Sequence, residues 1–121
     1  MKYIKLFEGF IVENELNKIC DNHLAYLLDD GFNFNIDYVF STNKEKKIYT
    51  ITFGKGKRSY RYKEKFNISE IKDDFISLLE ILDTKYYLEE IIVNNKSIDI
   101  KQFEQLKDLT IKSIFVKLSE K

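Results

Sequence analysis

The chain has no proline and no tryptophan, and its 121 residues include one cysteine, one histidine and four glycines. A single cysteine, Cys20, rules out an internal disulfide, and a reducing compartment fits that usage best. One cysteine and one histidine cannot complete the ligand set of a structural zinc site. No apolar run approaches the roughly 18 to 20 residues that a membrane-spanning helix needs. The opening MKYIKLFEGF lacks a continuous apolar stretch and a small-residue cleavage site, so no secretory signal is expected. Neither sign of charge is in excess, because 20 cations face 20 acids. A phosphate loop and a dinucleotide fingerprint are also missing, and the isolated Gly54-Lys55-Gly56 does not stand in for either.

What the chain does have is apolar and aromatic bulk, 44% and 15% of its residues, which is enough to build a core in one domain. Residues 1–13 read as a leader and 14–121 as a single α+β domain. Within NELNKICDNHLAYLLDDG, residues Leu16, Ile19, Cys20, His23, Leu24, Leu27 and Leu28 recur at helical spacing. Asn14 is placed to cap that helix and Gly31 to end it. The period then changes to two. Phe32, Phe34, Ile36, Tyr38 and Phe40 alternate with Asn33, Asn35, Asp37, Val39 and Ser41, which predicts a strand with one face on a core. The turn TNKEKK leads to a second strand, IYTITF, and Gly54 and Gly56 allow a reversal into a third, KRSYRYK, giving an antiparallel meander.

Asn67 and Glu70 stand at capping-box spacing before a second amphipathic helix that carries Ile71, Phe75, Leu78, Leu79 and Leu82. YYLEEIIV reads as a strand, Asn94-Asn95 as a hairpin turn into SIDI, and Asp99 with Gln102 as the cap of a short helix carrying Phe103 and Leu106. IKSIFVKL closes the chain as a strand. The expected fold is α+β: an antiparallel sheet of about five to six strands with two main amphipathic helices, in the order α-β-β-β-α-β-β-α-β, the helices on one face.

Charge is segregated along this order. Residues 44–65 hold nine cations and two acids, whereas residues 8–37 hold seven acids and one cation. Both arginines of the chain, Arg58 and Arg61, fall in the basic block, and arginine offers phosphate a planar fork. Lys55, Lys57, Arg58, Tyr60, Arg61 and Lys63 are therefore the candidate partner-binding residues, with Tyr49, Phe53 and Tyr60 as aromatic anchors. Their partner is a protein, or alternatively nucleic acid. Helix, three strands, helix is also the order of the double-stranded RNA-binding fold, but the second helix here opens with the acidic SEIKDDF. The strand period offers a plainer account: Tyr60 and Tyr62 turn inward, while Lys57, Arg61 and Lys63 are solvated. The acidic first helix also offers this block a partner in a second copy of the chain, as a homodimer.

Candidate chemistry is sparse. Cys20 and His23 share a helical face, as a thiolate–imidazole pair requires, but both lie in the apolar stripe of a core helix. Asp29-Asp30, Asp73-Asp74 and Glu89-Glu90 are adjacent pairs, and neighbours in sequence do not share a face on a helix or a strand. No catalytic, cofactor-binding or metal-binding set is identified, so no cofactor is expected and the chain does not read as an enzyme.

The opening MKYIKLFEGFIVE is a short amphipathic segment with Ile4, Phe7 and Ile11 on one helical face. It resembles the capsid-targeting sequences of internal head proteins of T-even-type tailed phages, which run from Met-Lys through an aromatic and an apolar pair to Glu. The prohead protease of that family cuts after an apolar residue, any residue, then Glu. Leu6-Phe7-Glu8 and Ile11-Val12-Glu13 fit that rule, making Glu8 and Glu13 the candidate processing positions. The abundance of Lys, Ile, Asn, Phe and Tyr, all with AT-rich codons, agrees with an AT-rich bacterium or its virus as source. The resemblance implies a virion-head or host-cytoplasm location and a role by protein–protein contact, including inhibition of a host defence factor.

Overall fold

The computed structural model describes residues 15–41, 46–56 and 64–121. The expected first helix is present with a bend. Residues 15–23 (α1) and Ala25–Asp29 (α2) are helical, and Leu24 between them sits at φ −105°, ψ 10°. Helical hydrogen bonding continues through the bend, because Leu24 N–H donates to the Cys20 carbonyl and Leu28 N–H to the Leu24 carbonyl, both at 2.9 Å. Leu16, Cys20, Leu24 and Leu27 are buried, as their spacing predicts. Gly31 ends the helix at φ 92°, a conformation in which a side chain would be strained. The proposed Asn14 cap lies outside the described residues.

β1 (Phe32–Ser41) and β2 (Lys46–Lys55) pair antiparallel over their full length. The three-stranded meander does not follow. The second neighbour of β2 is the C-terminal strand β7 (Ser113–Glu120), paired from Ile48↔Ser119 to Gly54↔Ser113. Both sides of β2 are thus occupied between 48 and 54, and this is also where the order stops matching a consecutive three-stranded RNA-binding sheet. The expected third strand, KRSYRYK, lies outside the described residues, and an isolated antiparallel bridge joins Lys55 to Glu64. β4 (Tyr86–Val93) flanks β7, and β5 (Lys96–Ile98) flanks β4, giving an antiparallel five-stranded sheet in the order β1-β2-β7-β4-β5. The fold is α+β.

Two short strands were not expected. Phe66–Asn67 (β3) pairs with Thr110–Ile111 (β6) as a separate ribbon, so the closing strand IKSIFVKL is divided at Lys112. The β4–β5 hairpin is the one expected. Val93 pairs with Lys96, and Asn94 and Asn95 take φ 49° and 63°, the two left-handed positions of a two-residue turn whose twist matches the strands.

The rows of the inner sheet face follow from the register. Phe34, Phe53, Ile114 and Val93 form one row; Ile36, Ile51, Val116, Ile91 and Ile98 form the next. The helices cover this face. α3 (Lys72–Lys85) buries Phe75, Leu78, Leu79 and Leu82, and α4 (Ile100–Gln105) buries Phe103, whose ring lies 5.5 Å from that of Phe75. Both expected capping boxes are made. Asn67 accepts from Ser69 N–H and its own N–H donates to Glu70, which opens the 3-10 turn Ile68–Glu70 before α3. Asp99 accepts from Gln102 N–H at 2.7 Å and its N–H donates to Gln102 Oε1 at 2.9 Å. Lys72 Nζ donates to the Leu106 carbonyl at 2.8 Å and ties α3 to the end of α4. Among the described residues no helix is long and apolar enough to cross a membrane.

Candidate interaction surface at the end of the sheet

The basic stretch can be followed only to its borders. Lys57, Arg58, Tyr60, Arg61 and Lys63 lie outside the described residues, as do Tyr62 and the processing candidates Glu8 and Glu13. Lys55 is described. It is half-buried, and its Nζ sits 5.4 Å from the centroid of the Phe32 ring. Two of the expected anchors are not surface groups: Tyr49 and Phe53 are fully buried in the core, because they point to the helix-covered face of a central strand. Gly56 N–H donates to the Gly31 carbonyl at 2.9 Å, and Asn33 donates to the Gly56 carbonyl. The acidic end of the first helix, Asp29-Asp30, therefore sits near Gly56, the last described residue before the basic stretch continues in sequence at Lys57.

At the opposite end of the sheet an aromatic and charged cluster gathers. Tyr38, Tyr49, Leu118 and Leu88 form one row, and beyond it Phe40 pairs with Lys47 and Tyr86 with Glu120. The Tyr49 ring lies between Tyr38, at 5.6 Å, and Tyr86, at 6.1 Å, and its hydroxyl donates to Glu120 Oε1 at 3.2 Å. Lys47 Nζ is 4.0 Å from Glu120 and 5.9 Å from the Tyr38 ring centroid. Burial, then the Glu120 carboxylate, holds the Tyr49 hydroxyl above its ordinary range. Burial, followed by Glu15, Cys20 and Glu120, pushes Tyr86 up to about 12. Both hydroxyls remain protonated donors near neutral pH.

Helix cover runs out at this end. Phe32 and Phe34 are buried, but Tyr38, Val39 and Phe40 are 43%, 59% and 51% exposed. The alternation that predicted one buried face over all of β1 is therefore correct for its first half only. Tyr38 and Phe40 lie on the helix side and Val39 on the other, where Tyr87 and Phe115 are also exposed. This patch was missed at the sequence level. Its signal was the length of β1 set against the short helix, α2, that follows the bend.

Several of the described groups suited to chemistry are engaged elsewhere. Cys20 is fully buried, and burial followed by Asp21 pushes its thiol up to about 12, far from a reactive thiolate. A cleft of about 440 Å³ beside β4 and α4 is lined by Asp83, Glu89, Glu90 and Asp99, among others. Glu89 accepts from the Ser119 hydroxyl, Glu90 pairs with Lys117 at 3.6 Å, and Asp99 caps α4. Among the described residues no three His, Cys, Asp or Glu side chains group closely enough to hold a metal ion. No family model, curated protein or solved structure matches this chain.

Proposed function

We propose that this chain acts by protein–protein contact, without catalysis, and that the uncovered end of β1 is its contact surface. The observation that carries the reading is three consecutive exposed apolar residues, Tyr38, Val39 and Phe40, on an edge strand. Exposed edges template pairing with another chain, and aromatic residues supply most of the energy of protein interfaces. Lys47 beside Tyr38 adds a charge at the rim, where charge sets association rate more than affinity.

The leader supports a setting. Its resemblance to capsid-targeting sequences points to a tailed-phage protein, carried in the virion head or made in the host cytoplasm, where it blocks a host factor. The contact itself is tested by immobilising the wild-type chain and a Tyr38→Glu/Phe40→Glu variant, then probing both with lysate of phage-infected host. Partner capture falls at least tenfold for the variant while its melting temperature stays within a few degrees. Equal capture by both chains places the contact elsewhere. Mass spectrometry of purified virions tests the setting, and absence of the chain from the particle leaves only the cytoplasmic role.

A further inference from the structure

We draw no further inference here: the strongest candidate, the cleft of about 440 Å³ beside β4 and α4, carries nothing, because its acids Glu89, Glu90 and Asp99 are already held by Ser119, Lys117 and the α4 cap and nothing in the structure shows what would occupy it.

Discussion

The Cys20 thiol and the Tyr86 hydroxyl stay protonated far into the alkaline range because burial disfavours their charged forms. Both are raised to about 12 in the folded chain, from ordinary values of 9.0 and 10.0. The unfolded chain therefore holds fewer protons than the folded one across that interval. Stability is fully present below the ordinary values and is lost as pH climbs through them towards 12. Thermal melting followed by circular dichroism should be level up to about pH 9 and fall steadily above it. Tyr49 is raised in the same way, so Tyr86→Phe removes one of three such groups and should lessen the fall above pH 10, the ordinary value of that hydroxyl, without abolishing it. A melting temperature unchanged between pH 9 and 11 would contradict this account. The hairpin turn makes a second prediction for single residues. Asn95 holds φ 63°, so Asn95→Val should cost about 1 to 2 kcal/mol in urea unfolding, while Asn95→Gly should be neutral or stabilising.

Among the elements, β4 shows how local pattern and tertiary pairing divide the work. Strict alternation in YYLEEIIV places Tyr86 and Leu88 on one face but Ile91 and Val93 on the other. The structure sets all four inward by a bulge between Leu88 and Glu90. Glu89 is the extra residue, and its carboxylate accepts from Ser119. Deleting Glu89 should leave every inward residue in place and cost about 1 kcal/mol, the ordinary worth of the lost hydrogen bond. Deleting Ile92 instead puts Ile91 and Val93 on opposite faces and should cost about 1.5 to 3 kcal/mol or more. Chemical denaturation of the two deletions separates the cases, and equal losses would refute the bulge as a register device. Phe103→Ala should cost about 3 to 5 kcal/mol, because that ring anchors α4 on Phe75. Helices, the two capping boxes and the Asn94-Asn95 turn were legible in the sequence because each depends on residues within a few positions of one another. The bulge, the β3–β6 ribbon and the bend at Leu24 were not, because each answers to a partner far along the chain.

For the molecule as a whole, the order of the sheet was the least legible feature. β2 and β7 are far apart in the chain, with Ile48 paired to Ser119 and Gly54 to Ser113, and nothing local in IYTITF names SIFVKL as its neighbour. The same pairing shows why the first candidate site lost two of its three expected anchors, Tyr60 lying outside the described residues. Tyr49 and Phe53 looked like aromatics beside a basic hairpin, but β7 makes β2 a central strand and draws both rings into the core. It also leaves β1 as the long edge, with its apolar end beyond the helices. Amide hydrogen exchange along β1, compared for the free chain and for the chain bound to its captured partner, tests most directly that this edge is the working surface. Every second amide over residues 36–41 should exchange quickly in the free chain and slow several-fold in the complex, while the β4–β5 hairpin does not change. Exchange along β1 that is unchanged in the complex, with protection appearing on another element, would contradict the account.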